Sequence, residues 1–302
     1  MIPLDDVRVM QTLVREVFRL RPDVVDLTMG ELAYQGAMGS TDSTDESSYR
    51  IWKRGRRVVA YAIFWPPGLL EWQVHPDHPE VLDEALDWFE SVIDPTAELN
   101  VQARDGDHDA QRRVEQRGFV FNETAPFMRL NMRSLDDIEE PRLPDGYRLR
   151  TMSEYDGDIT QRVAVHQSAW AEFGTRVSME TYPVAMATWP YRSDLDFLVE
   201  DNTGQCVAFA LGWYDEDNRV GEFEPVGTAP NARRLGLGRA ANLSANQAGT
   251  GKARGEGADA DAAGSLARTR AAREGGRCLP RACGTRTTHR SCLLYTSDAA
   301  DE

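Results

Sequence analysis

Apolar and polar positions run through this chain in two blocks of similar order. The first opens with "DDVRVMQTLVREVFRL", where Val7, Met10, Val14, Val17 and Phe18 recur at helical spacing. In "SYRIWKRGRRVVAYAIFW", two runs rich in β-branched and aromatic residues flank a basic turn at Arg54 to Arg56, which predicts a hairpin. "LLEWQVHP" is a candidate third strand, and "PEVLDEALDWFESVID" puts Val81, Leu82, Ala85, Leu86, Phe89 and Val92 on one helix face. "ELNVQA" reads as a strand, "DAQRRVEQRGF" as a helix closed by Gly118, and "PFMRLNM" as a strand. The acidic, proline-bearing "RSLDDIEEPRLPDG" then reads as a linker. Beyond it the opening order repeats, with "GYRLRTM" as a strand and "DITQRVAVHQSAW" as a helix whose face is marked by Ile159, Val163 and His166 to Trp170. "DLDFLVEDNTGQCVAFALGWYDEDNRVGEFEPVGTAP" supplies three strands separated by turns at "DNTG" and "DEDN". Such repetition predicts a duplicated domain.

At 302 residues the chain is long enough for two ordinary domains, each with its own core. No run approaches the roughly 18 apolar residues of a spanning helix. "MIPLDDVRVM" has acids where a signal peptide carries a basic and then an apolar stretch, so a cytoplasmic protein away from membranes is expected. With 34 Lys plus Arg against 49 Asp plus Glu, the net charge of -15 argues against a sequence-independent nucleic-acid surface and suits a cationic substrate. Cys206 lies in an apolar strand-like run, while Cys278, Cys283 and Cys292 sit near the end. "CLPRAC" lacks the spacing of a CxxC redox or zinc pair and no His cluster accompanies it, so no metal site is expected. His75, His78 and His108 read as loop residues rather than ligands.

The chemistry concentrates in "PNARRLGLGRA", where Arg233, Gly236 and Gly238 form R-x-x-G-x-G directly after a strand ending near Pro230. Glycines let a backbone come close to an anion, several N–H groups converge, and a helix start adds positive dipole potential. Arg233, Arg234 and Arg239 bring local positive charge to a very acidic chain. A dinucleotide fingerprint and a P-loop need other spacings, which this stretch does not have.

The order strand, helix, three-stranded meander and then V/T-x-P-x-x-R-x-x-G-x-G resembles the GNAT superfamily of acyl-CoA-dependent N-acyltransferases, and the duplication resembles its tandem-domain members. The resemblance implies an α/β (α+β) chain of two GNAT-like domains, each a mixed, mostly antiparallel sheet flanked by helices. It implies that Arg233, Arg234, Leu235, Gly236, Leu237, Gly238 and Arg239 hold the coenzyme A pyrophosphate, and that Val226, Gly227 and Thr228 pair their backbone with the pantetheine arm. By position, the residue eleven before Arg233 is Glu222, where some family members place the base that deprotonates the acceptor amine. Glu224 follows two residues on, and strand alternation would put both carboxylates on one face. Either glutamate suits a general base, and both equally suit solvated acids on a strand end. The implied reaction moves an acetyl group from acetyl-CoA, as co-substrate, to an amine of a small molecule or peptide. Direct attack is expected, because no activated Cys or Ser accompanies the turn. The alternative is a non-catalytic acyl-CoA-binding or regulatory module. In the first block, "QVHPDHPEVLDEAL" keeps V-x-P but has no glycine in the turn and carries Asp77, Glu80, Asp83 and Glu84, which implies a degenerate, structural domain.

From Ala240 to Ser291 the sequence holds no Val, Ile, Met, Phe, Tyr or Trp, so no large apolar stripe continues the helix that the turn should feed. The last residues, "CLLYTSDAADE", read as the translation of a sequencing-library adapter, and the stretch before them as GC-rich DNA translated out of frame after about Ala240. The expected organisation is a degenerate domain over 1–135, a linker over 136–144, the beginning of a catalytic domain over 145–240, and an out-of-frame or disordered tail over 241–302. On this reading the second domain is truncated.

Overall fold

A computed structural model describes residues 2–38, 48–94, 96–122, 129–134, 138–155, 159–254, 266–271 and 283–286. It divides into two compact units, the first formed by Met1–Phe127 with Gly275–Leu293 and the second by Met128–Glu274 with Leu294–Glu302.

In the first unit, helix α1 (Leu4–Leu20) leads to α2 (Met29–Met38), followed by strands β1 (Ser48–Arg54), β2 (Arg57–Trp65) and β3 (Leu69–Val74). Helix α3 (Val81–Val92), strand β4 (Leu99–Gln102), helix α4 (His108–Gln116) and strand β5 (Val120–Phe121) complete the sequential elements. The expected periodicities hold. Val7, Met10, Val14 and Val17 are buried against Tyr61 and Ile63 on one sheet face, while Val81, Leu82, Ala85, Leu86 and Phe89 pack on the other. Val92 departs from the expected stripe and is 41% exposed at the end of α3. Gly118 follows α4 with φ +84, as expected of a helix stop.

Helix α2 has no counterpart in the periodicity because it is buried on most sides, from Met29 to Ala33 and again at Gly36 to Met38. Its start was nonetheless written in the sequence as a capping box. Thr28 N–H donates to Glu31 Oε2 at 2.9 Å, and Glu31 N–H donates to Thr28 Oγ1 at 3.1 Å.

The second unit begins with β6 (Arg129–Ser134) and β7 (Arg148–Thr151), then helices α5 (Ile159–Ala169) and α6 (Tyr182–Ala187). Strands β8 (Asp196–Glu200), β9 (Cys206–Asp215) and β10 (Val220–Thr228) form the meander, and helix α7 (Leu237–Arg254) follows the glycine turn. Two later segments are β11 (Leu266–Ala271) and β12 (Cys283–Arg286). The first sheet runs β1-β2-β3-β4-β12-β5 and the second β6-β11-β10-β9-β8-β7. Each has one parallel ladder among the described residues, β3 with β4 and β10 with β11, and is otherwise antiparallel.

Three differences from the sequence reading concern which segments pair. Strand β6, expected to close the first half, lies at the edge of the second sheet. A strand's backbone offers the same donors and acceptors to any neighbour, so its partner is not written in its own residues. The helix after the turn is present to Arg254, beyond the expected break near Ala240. Its buried stripe is Leu237, Ala241 and Ala245, packed with Phe197, Val199, Val207, Phe223 and Val226, so small residues at helical spacing replace the missing large ones. Within the expected tail, 266–271 and 283–286 form β11 and β12, each between two strands of a sheet. The final stretch from Cys292 to Glu302 lies outside the described residues.

Candidate active site

The site is organised by β10. Its residues alternate between the two faces of the second sheet: Phe223 and Val226 pack toward α7, whereas Glu222 pairs across β9 with Trp213, and Gly227 with Phe209, on the face covered by α5. Between these pairs the register slips. Phe223 faces Gly212 while Val226 faces Ala210, so β10 carries one residue more than β9 over that span. The bulge contains Glu224 and Pro225, and proline has no N–H to give a ladder. Strand alternation therefore stops at Glu224, yet carboxylate oxygens of Glu222 and Glu224 lie within 4.8 Å of each other, so the bulge still brings the two acids together. The bulge is held by Trp213, whose Nε1–H donates to the Glu224 carbonyl at 2.6 Å.

On its other edge β10 pairs in parallel with β11 only from Val220 to Phe223. From Glu224 to Thr228 that edge has no strand partner among the described residues. The two strands thus part at the level of the glutamates, and the backbone of Val226, Gly227 and Thr228 borders the opening.

A short 3-10 turn, Pro230–Ala232, leads from β10 to the glycine segment. Arg234 and Gly236 both adopt left-handed backbone, with φ 63 and φ 75. These two reversals fold the segment tightly before α7 starts at Leu237. The Ala240 N–H closes the first helical turn onto the Gly236 carbonyl at 3.0 Å. The earlier N–H groups of the helix point out of its start, where the macrodipole is positive. Leu237 and Gly238 are buried, while Arg234, Leu235 and Arg239 are exposed.

The arginines do not act alike. Arg233 Nε donates to the Thr228 carbonyl at 3.4 Å and Nη2 to the Ala169 carbonyl at 3.2 Å, with Glu172 3.9 Å from Nη1. Its side chain therefore ties the turn to the end of α5 and to β10, a bracing part that the motif alone did not reveal. Arg239 bonds to Glu139, and both are exposed.

Sequence reasoning missed a buried polar cluster on the α5 face. Arg162 and Asp196 are both fully buried and joined at 3.0 Å from Nε to Oδ1. Asp196 Oδ2 also accepts from the hydroxyls of Tyr182 and Tyr191, the latter at 3.1 Å. Burial raises both phenols well above their ordinary value, and the Asp196 charge adds to it. His166, one turn after Arg162, stacks on Phe209 and Trp170, and burial together with the Arg162 charge holds its pKa well below the usual value. An arginine within an apolar helical run was the one available signal, because a buried charge demands a partner.

Cys206 is no nucleophile in this setting. Burial pushes its thiol up to about 11, so the thiolate is scarce at neutral pH. It borders a cavity of about 290 Å³ between α5, the start of β9 and the turn at Pro230, lined also by Gln161, Ser168, Gln205 and Asn231.

A parted pair of strands, a bulge with two glutamates and a glycine turn opening a helix thus lie together along β10 and the start of α7. Residues 162–247 match the model of the acetyltransferase (GNAT) family. Among solved structures, a GCN5-related N-acetyltransferase from Sphaerobacter thermophilus aligns over 97% of this chain and 96% of its own, with 16% identity and a TM-score of 0.57. A tandem GNAT protein from the clavulanic acid biosynthesis pathway aligns over 95% and 97%, with 14% identity and a TM-score of 0.58. No curated protein matches the chain. The residues that match the GNAT model lie in the second unit, and the chain shares its fold with these two solved structures, one of them a tandem GNAT protein.

Proposed function

We propose that the second unit transfers an acetyl group from acetyl-CoA to an amine of a small molecule or peptide. The observation that carries this reading is the parting of β10 from β11 after Phe223, directly ahead of the glycine turn. A pantetheine arm laid along Val226, Gly227 and Thr228 would find an edge with no strand partner among the described residues, and a pyrophosphate would meet the start of α7. That path brings a thioester to the level of Glu222 and Glu224. A carboxylate there takes the proton of an ammonium, directly or through water, and frees the lone pair to attack the thioester carbonyl. The tetrahedral intermediate breaks its C–S bond as the nitrogen loses its remaining extra proton and the departing CoA sulfur takes one up, so the acetyl group passes directly to the amine without an acyl-enzyme, consistent with the inert thiol of Cys206.

The first unit is proposed to be structural. Its corresponding turn places a buried His75 and the acids Asp77 and Glu80 ahead of α3, with no glycine to admit a phosphate.

Glu222→Gln and Glu224→Gln test the assignment. The variant that removes the base is expected to lose about 10²- to 10⁴-fold in turnover while keeping CoA affinity, measured by release of CoA thiol and by calorimetry. Full turnover in both variants would remove the glutamates from the mechanism. CoA binding without acetylation of any amine in a broad screen would favour the non-catalytic module.

A further inference from the structure

Glu222 and Trp213 are cross-strand partners on the face of the second sheet that α5 covers. Trp213 packs edge-on against Tyr191 with 6.3 Å between ring centres. Tyr191, half-buried, gives its hydroxyl proton to Asp196 Oδ2 at 3.1 Å. Asp196 in turn is fixed by Arg162 Nε at 3.0 Å and by the Tyr182 hydroxyl. The Arg162 guanidinium carbon lies 4.1 Å from the centre of the Phe209 ring and 4.7 Å from that of Tyr182.

These contacts set the hydrogen-bonding sense of the wall beside β10. A phenol whose proton is committed to a buried carboxylate has only lone pairs left to offer a ligand. The carboxylates of Glu222 and Glu224, within 4.8 Å of each other, add further acceptor oxygens. The positive charge of Arg162 is matched by Asp196 and covered by two aromatic faces, so it is not presented to a ligand's carboxylate. What remains is a surface of acceptors and aromatic rings, which complements N–H donors and positive charge and opposes negative charge.

We infer that the acceptor is an amine with no carboxylate or phosphate beside its nitrogen, an alkyl- or arylalkylamine rather than an α-amino acid, and that Tyr191 determines this specificity by accepting a hydrogen bond from that nitrogen. The inference rests on the acyl-transfer reading above for the place of the acceptor, but its test does not require turnover.

Equilibrium binding to the full chain in the presence of CoA is measured by calorimetry for two matched pairs, phenethylamine against phenylalanine and butylamine against norvaline. Within each pair the two molecules differ by the carboxylate alone. At least one amine is expected to bind about tenfold or more tightly than its amino acid, and Tyr191→Phe to weaken that amine about five- to tenfold while leaving the amino acid unchanged. Equal or tighter binding of the amino acids, absence of binding by either amine, or an unchanged preference in Tyr191→Phe overturns the inference. The wild-type ratio stands independently of the variant, whose near-ultraviolet circular dichroism reports whether the wall has kept its packing. Failure of the acyl-transfer reading would look different: an amine bound with the expected preference, yet no CoA thiol released when acetyl-CoA is supplied.

Discussion

Gly227 and Gly236 are glycines for different physical reasons, and their substitutions should separate accordingly. A Cβ on Gly227 would stand 2.6 Å from the Phe209 ring and 2.8 Å from Ala169 Cβ, nearer than packed carbons tolerate. Gly227→Ala is expected to destabilise the second unit by about 1–3 kcal/mol in urea unfolding. Gly236, with φ 75, has nothing within 4 Å of the added carbon, so Gly236→Ala bears chiefly the left-handed backbone cost of about 1 kcal/mol. Its methyl would nonetheless enter the space in front of the turn. CoA affinity should therefore fall by more than stability does, and a variant that keeps its CoA affinity would move the pyrophosphate elsewhere.

Glu71, in the first unit, makes a prediction about pH. Burial raises its carboxyl to about 8, the neighbouring Asp26 adds to the rise, and the Trp65 indole at 2.6 Å and Arg104 oppose it. The folded chain thus holds a proton that the unfolded chain, near its ordinary value of 4.5, has released. Between about 4.5 and 8 this group makes stability fall as pH rises, and outside that window its contribution is level. Glu71→Gln keeps the shape without the proton. Its stability relative to wild type should increase from pH 5 to pH 8.5 by an amount on the order of a few kcal/mol, read from denaturant midpoints. A difference that does not change with pH would count against a buried, protonated Glu71.

At the scale of elements, α5, α6 and β8 are joined through Asp196. Asp196→Asn leaves the Arg162 charge buried without its counter-ion and should cost about 3–5 kcal/mol in the second unit, whereas Arg162→Met with Asp196→Leu should cost clearly less. A double-mutant cycle on unfolding free energies measures the difference. Helix α7 makes the opposite kind of contact, because its buried positions Ala241 and Ala245 contribute shape and little else. Ala241→Glu would place a carboxylate against Phe197 and Val226, and a loss above about 3 kcal/mol is expected. Helix content near wild type at matched denaturant would deny that α7 packs on the sheet.

For the whole molecule, the two late strands matter most. Strand β11 separates β10 from β6, and β12 separates β4 from β5. A chain ending after Arg254 would expose strand edges in the middle of both sheets, which invites association. Increased binding of a hydrophobic dye and loss of a discrete size-exclusion peak are expected. A monodisperse, cooperatively folding product would show that neither sheet depends on these strands.

Much was legible from the residues alone because it depends on local chemistry. Helical spacing in "DDVRVMQTLVREVFRL" and "PEVLDEALDWFESVID", the strand runs of the meander, and the turn R-x-x-G-x-G each need only their own side chains and backbone freedom to declare themselves. Those patterns led to two mixed sheets with flanking helices and to the GNAT family model over 162–247. Tertiary structure alone decided the rest. Hydrogen bonding between strands ignores side-chain identity, so the places of β6, β11 and β12 followed from which edges were open. Asp196 gathers Arg162, Tyr182 and Tyr191 from separate elements, and Arg233 reaches back to Ala169 and Thr228. Buried polar groups must find partners wherever folding brings them, and such partnerships leave no fixed spacing along the chain.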